Sequence, residues 1–195
     1  MTFLSVLTQH QVVMEQLANN NDEIEAVGAL LINTLKQGGK ILLCGNGGSA
    51  ADCQHIAAEF VVRYEKKRKA LAAIALTTDT SILTASANDF DFDAVFSRQV
   101  EALGNANDCL IAISTSGRSS NVIAAVKAAK AKGMVVVGMT GSEESELSQL
   151  ASITIKVPSN ITARIQEAHI LIGHWWCAVV EDAFSQEALD AGNNA

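Results

Sequence analysis

Three short segments concentrate the side chains that could do chemistry. Gly45-Asn46-Gly47-Gly48-Ser49 is a glycine-rich run ending in a hydroxyl, and Ser114-Thr115-Ser116-Gly117-Arg118-Ser119-Ser120-Asn121 packs hydroxyls around one glycine. Each follows a short apolar run and precedes a helical pattern. Glycines permit positive φ and close backbone approach, and a helix starting directly behind them turns its free N–H groups toward an anion. Neutral hydroxyl donors complete such a phosphate cradle. Neither run continues into GK[ST] and neither is GxGxxG, so nucleotide binding is disfavoured.

His55 and Glu59 stand at i, i+4 in the helical pattern behind the first run and therefore share a face. An imidazole and a carboxylate so spaced are either paired metal ligands or a positioned acid/base couple. In isolation the pair would more often be a surface ion pair; the adjacent phosphate-type loop shifts the balance toward function. The third segment, RIQEAHILIGH, carries Gln166, Glu167, His169 and His174. On one helix Glu167 and His174 are nearly aligned, whereas Gln166 and His174 lie about 80° apart around the axis. His169 reads as structural. Trp175 and Trp176 point about 100° apart and read as core or subunit-interface packing, not as a platform for a sugar.

The elements that must position these groups follow from hydropathy. Apolar positions at helical spacing over 3–18 and 22–37, broken by Asn19-Asn20-Asn21-Asp22, predict an N-terminal helical hairpin. Short apolar runs at 40–45, 71–76, 108–114, 134–140 and 152–157 predict strands. Helical patterns at 49–65, 79–87, 93–103, 119–132 and 143–150 lie between them. Apolar strands alternating with helices give an α/β fold with a doubly wound, parallel, five-stranded sheet covered on both faces. Ligands of such sheets sit at the carboxyl ends of the strands, where both loops emerge. A last helix from Thr162 to about Asp182 is apolar on most sides, which predicts a covering partner such as another subunit.

Composition sets the frame. The 195 residues, with one proline and no serine- or glycine-rich linker, read as a single domain over 1–195 that includes the hairpin at 1–37. A formal charge of −7 argues against a nucleic-acid partner. The basic run Lys66-Lys67-Arg68-Lys69 reads as a solvated turn. Apolar stretches too short for a bilayer and a start without a secretion signal predict no membrane partner and a cytoplasmic location. Cys44, Cys53, Cys109 and Cys177 form no CxxC pair and read as reduced core residues.

The strings CGNGGSAADCQHIAAEF, ISTSGRSSNV and RIQEAHILIGH resemble the signature segments of the phosphoheptose isomerases, which are sugar isomerase (SIS) domain proteins. ALTTDTSILTASANDFDFDAVFSRQV resembles their connecting region, and order and spacing agree over most of the chain. The resemblance implies that Ser49, Ser114, Thr115, Ser116 and Ser119 bind phosphate, with Asn46, Gly47 and Gly48 beside them. It implies that Arg63, Asn88, Asp89 and Gln166 contact substrate. Glu59 and His174 would be the catalytic pair, and His55, Glu59, Gln166 and His174 the ligands of a zinc cofactor. The implied reaction converts sedoheptulose 7-phosphate to D-glycero-D-manno-heptose 7-phosphate through an enediolate, for heptose and lipopolysaccharide precursor synthesis, in a homotetramer. One departure is Lys67-Arg68-Lys69-Ala70-Leu71-Ala72-Ala73, where family members often carry RPxxPA. The alternative is a non-catalytic SIS-domain protein that binds a sugar phosphate or a replication initiator. A relative of that kind has serine and asparagine at the positions of Glu59 and His174, and this chain keeps the two reactive groups.

Overall fold

The computed structural model describes residues 2–192, with side chains through residue 185. Helices α1 (Phe3–Leu17) and α2 (Asn21–Lys36) form the hairpin, joined by a 3-10 turn at Ala18–Asn20. Then follow β1 (Ile41–Gly45), α3 (Gly48–Val61), β2 (Ala73–Ala75), α4 (Thr80–Asp89), α5 (Ala94–Leu103) and β3 (Cys109–Ile113). The chain continues through α6 (Ser120–Ala131), β4 (Val135–Thr140), α7 (Glu146–Leu150), β5 (Ile153–Lys156) and α8 (Thr162–Gly192). All five strands are parallel, in the order β2-β1-β3-β4-β5.

The side-chain period of two sorts each strand onto two cores. Ile41 and Leu43 of β1, with Cys109, Ile111 and Ile113 of β3, face a core built with α2, α3 and α8. Leu42, Cys44, Leu110 and Ala112 face the other core, against α5, α6 and α7. β1 and β3 are neighbours whose connections leave in opposite directions, so their carboxyl ends mark the topological switch point. Gly45 pairs with Ile113 across the register, and both hydroxyl-bearing loops therefore start side by side.

Two expectations change here. The apolar surface of α8 is largely covered within its own chain: Ile165, Ala168, Ile172, Trp176, Val180 and Phe184 all enter the first core. The sequence pattern sees the apolar residues but not the intramolecular faces of α1, α2 and α3 that meet them. Among the described side chains of α8, the large apolar ones left exposed are Leu171 and Trp175. The last helix also runs past Asp182, to Gly192. Trp176 is fully buried, and its Nε1–H donates to the carbonyl of Ile24 at 3.0 Å, fastening α2 to α8. Helices α3 and α8 run side by side with glycines at the seam. A Cβ at Gly48 would lie 2.5 Å from Gln166 Nε2, and one at Gly173 would lie 2.6 Å from Ile56 Cδ1.

Second, Lys66-Lys67-Arg68-Lys69 is not wholly a solvated turn. The Arg68 side chain is 1% exposed and faces an equally buried Glu181. Helix α3 stops at Val61, four residues before the apolar pattern suggests, because Glu181 takes the backbone N–H groups of Tyr64, Glu65 and Lys66. Those donors are lost to any continuing helix.

Candidate active site

The phosphate-type loops adopt the geometry their composition dictates. Gly47 is the N-cap of α3 with φ +56°, a conformation few other residues tolerate, and no side chain caps the helix start. Ser119 is the N-cap of α6, and that helix start likewise has no side-chain cap. The Ser119 hydroxyl turns instead to Ser114 Oγ at 2.9 Å, and Ser116 Oγ lies 3.5 Å from Ser114 Oγ. Ser49 and Ser114 are buried, while Thr115 and Ser116 line an adjoining cleft with Arg118, Gly141, Ser142 and Asn160. Uncapped helix starts and clustered hydroxyls form a cradle for an anion. Gln166 joins it through its contact with Gly48.

Asn46 has a structural task in this cradle. Its side-chain amide donates to Asn121 Oδ1 and accepts from Asn121 Nδ2, both at 2.8 Å, so the two loops are bolted together. Asn121 escapes a motif reading because its partner lies 75 residues away. The signal available is an asparagine inside the second loop with no cap role of its own.

Farther along α3, His55 Nε2 lies 3.3 Å from Glu59 Oε1 and 3.4 Å from His174 Nε2. The two imidazoles meet edge to face with centroids 4.9 Å apart, and the Tyr64 ring lies 5.8 Å from that of His174 on a 32° tilt. Glu167, the residue helical geometry aligns with His174, is engaged elsewhere. Arg164 and His10 bond its carboxylate and hold it below the usual range, against the opposing effect of burial. His169 is fully buried, its Nε2 faces the Thr140 carbonyl at 3.3 Å, and burial pushes it down to about 4, so it is neutral. Sequence reading passes over Asp52, one turn before His55 on the same helical face. Burial raises its pKa, His55 opposes the rise, and its Oδ2 is buried without a partner. An aspartate three residues before a histidine is the signal that could have found it.

The remaining candidates are dispersed within one chain. Asn88 and Asp89 end α4 and bond to each other at 2.8 Å. Helix α4 packs through Leu83 on the core opposite that of α3 and α8, which keeps both residues away from His55 and His174. Arg63 is exposed and donates to the Glu65 carbonyl at 3.3 Å. Gln166 and His174 are eight residues apart on α8, about 12 Å along the axis.

Two donors on one tetrahedral zinc stand about 3.3 Å apart for bonds near 2.05 Å. The His55–His174 and His55–Glu59 spacings match that edge. Among the described residues, however, no three His, Cys, Asp or Glu side chains close around a single point. The donor chemistry and pairwise spacing fit zinc, and the enclosure is incomplete in one chain.

A family model for the SIS domain matches residues 7–141. Phosphoheptose isomerase of Campylobacter jejuni is 54% identical over 176 residues, covering 90% of this chain and 95% of that one. The chain belongs to the phosphoheptose isomerase family. The solved structure of phosphoheptose isomerase GmhA from Neisseria gonorrhoeae superposes with a TM-score of 0.87 at 43% identity, covering 92% of this chain and 96% of that one. A phosphoheptose isomerase from Francisella tularensis gives 0.89 at 36% identity, covering 93% and 100%. The phosphoheptose isomerase fold thus extends over the hairpin, the sheet and α8 alike. Among the described residues no helix is long and apolar enough to cross a membrane.

Proposed function

We propose that this chain interconverts sedoheptulose 7-phosphate and D-glycero-D-manno-heptose 7-phosphate. The observation that carries the reading is the meeting of His174 of α8 with His55 and Glu59 of α3, the helix whose first turn helps form the anion cradle. Family membership supplies the substrate class.

Moving a carbonyl from C2 to C1 requires loss of a proton at C1, protonation of the C2 oxygen, return of a proton to C2 and release of the C1 hydroxyl proton. Glu59 is the base at carbon, and His174 is the opposing acid/base that serves oxygen. The cradle of Ser49, Ser114, Thr115, Ser116 and Ser119 holds the phosphate far from the reacting carbons, so its interactions orient the substrate. His55, Glu59, His174 and Gln166 are the residues that would hold zinc, which would act as a Lewis acid on the substrate oxygens.

Gln166 and His174 stand about 12 Å apart along α8, a span that would be relieved if a second copy supplied Gln166. We therefore extend the proposal to a homotetramer with shared sites, working in the cytoplasm. The dispersed Arg63, Asn88 and Asp89 would enter the sugar pocket by the same sharing. Exposed Phe3, Leu4, Leu7 and Val12 on α1, with Leu171 and Trp175 on α8, offer apolar surface for assembly.

The test is incubation with sedoheptulose 7-phosphate in deuterium oxide, followed by NMR. Appearance of the aldose with deuterium at carbon supports the isomerase. Tight binding without exchange or turnover would replace it with the non-catalytic sugar-phosphate binder, a reading that the presence of Glu59 and His174 disfavours.

A further inference from the structure

The segment between α3 and β2 has no regular structure, yet it holds a charge pair sealed from solvent. Glu181 of α8 and Arg68 each have 1% of the side chain exposed, with Arg68 Nε 3.4 Å from Glu181 Oε1. The Glu181 carboxylate accepts three successive backbone N–H groups: Tyr64 at 2.9 Å, Glu65 at 2.7 Å and Lys66 at 2.6 Å. Arg68 donates from Nη1 to the carbonyls of Phe60 at 2.7 Å and Lys69 at 2.9 Å, and from Nη2 to the carbonyl of Glu59 at 2.6 Å. The carbonyls of Glu59 and Phe60 are among the last of α3, which have no partner in the helix, and a cation there also suits the helix dipole.

A buried pair gains little net stability, because desolvating two charges offsets most of their attraction. What this one secures is placement. Through Arg68 it fixes the backbone of Glu59. Through Glu181 it fixes the backbone of Tyr64, whose ring centroid lies 5.8 Å from that of His174, the imidazole that also meets the Glu59-bound His55. One charge centre thus sets both groups assigned to proton transfer.

We propose that Arg68 and Glu181 are a positioning pair for the isomerisation, and that Tyr64 is the contact through which they hold His174. The assignment rests on the reading of Glu59 and His174 as the acid/base groups. None of the three touches the phosphate cradle, so the pair acts on turnover and not on substrate affinity.

The experiment uses the full chain with Tyr64→Leu, Tyr64→Phe, Glu181→Gln and the apolar double variant Arg68→Met with Glu181→Leu. Turnover and KM are measured with sedoheptulose 7-phosphate, and the His174 ring C–H signals are followed by NMR. Misplacing a reacting group by about 1 Å costs up to ~10²-fold, so Tyr64→Leu and the double variant should lose at least ~10-fold in kcat with KM within ~2-fold. Their His174 ring signals should shift and broaden. Tyr64→Phe keeps the ring and should retain parental kcat and parental His174 signals. Parental kcat and His174 signals in folded Tyr64→Leu and double variants would overturn the proposal, as would a rise in KM with kcat unchanged. Should both charge variants fail to fold, Tyr64→Leu decides alone, since it leaves the ion pair in place. If the parent itself does not isomerise the sugar, the acid/base reading fails, while the NMR comparison still decides whether the pair positions His174.

Discussion

The side-chain amides of Asn46 and Asn121 exchange two hydrogen bonds of 2.8 Å, so the loop after β1 and the loop after β3 are held at one separation. Asn121 also accepts from the N–H of Val122 at 2.9 Å, which fixes its own amide plane. Asn121→Ala leaves the Asn46 amide without its partner in a partly buried place. It should cost about 1–3 kcal/mol of stability and raise KM for sugar phosphate. Urea unfolding and steady-state kinetics check this, and a parental KM would show that the loops keep their spacing without the pair.

Removing a cradle hydroxyl should act on binding. On the proposed phosphate role, Ser49→Ala and Ser116→Ala should each lose one donor to the charged group, at about 1.5–3 kcal/mol, and leave the fold intact. Calorimetric titration with the sugar phosphate measures the loss. Unchanged affinity in both would remove these loops from the site.

Glu59→Gln keeps the shape and deletes the carboxylate proposed as base, so turnover should fall by at least ~10²-fold, and His174→Asn should do likewise. Both variants should still bind the substrate, because the serine cradle is untouched. Deuterium incorporation at C1 or C2, at matched occupancy, is the readout. Parental exchange in Glu59→Gln would refute the assignment.

His169 makes stability depend on pH. Burial pushes it down to about 4 from 6.5. As pH falls below 6.5 the unfolded chain takes up a proton that the folded chain refuses. Stability is therefore complete above 6.5 and declines by roughly 3 kcal/mol as pH approaches 4. Unfolding by urea at pH 7, 5.5 and 4 should show this slope in the parent and a flatter one in His169→Gln. Equal slopes would assign the proton to another group.

Sedimentation should give a tetramer of active protein. Phe3 of α1 is 82% exposed, and Leu4, Leu7, Leu171 and Trp175 extend the uncovered apolar surface. An active monodisperse monomer would contradict both the assembly and the shared site.

Most of the architecture was legible in the sequence because it rests on local patterns. The five apolar runs became the five strands, shortened by a residue or more, and the loop glycines marked the switch point. Long-range pairings were not legible. Arg68 looked like one of four solvated cations until Glu181, 113 residues away, gave it a buried partner. Asn121 gained its role from Asn46, and the early end of α3 was decided by a carboxylate on α8. Within the site, the serines, Gln166 and Asn46 gathered at one end and His55, Glu59 and His174 at the other. Their separation along α8 could have been counted from the sequence. The engagement of Glu167 with Arg164 and His10 could not, because α1 supplies one of the partners.

The glycine seam between α3 and α8 bears on how substitutions will be tolerated. Gln166 fills the space a Cβ would need at Gly48, and the fully buried Ile56 fills it at Gly173. A methyl group at Gly173 would press on a packed core side chain and act as a wedge between the helices, whereas one at Gly48 would meet only the amide end of the half-buried Gln166, which can swing aside. In a saturation-mutagenesis screen Gly173 should therefore reject even alanine, and alanine at Gly48 should displace Gln166 and not the helix. Ala51, on the exposed flank of α3, should accept many residues.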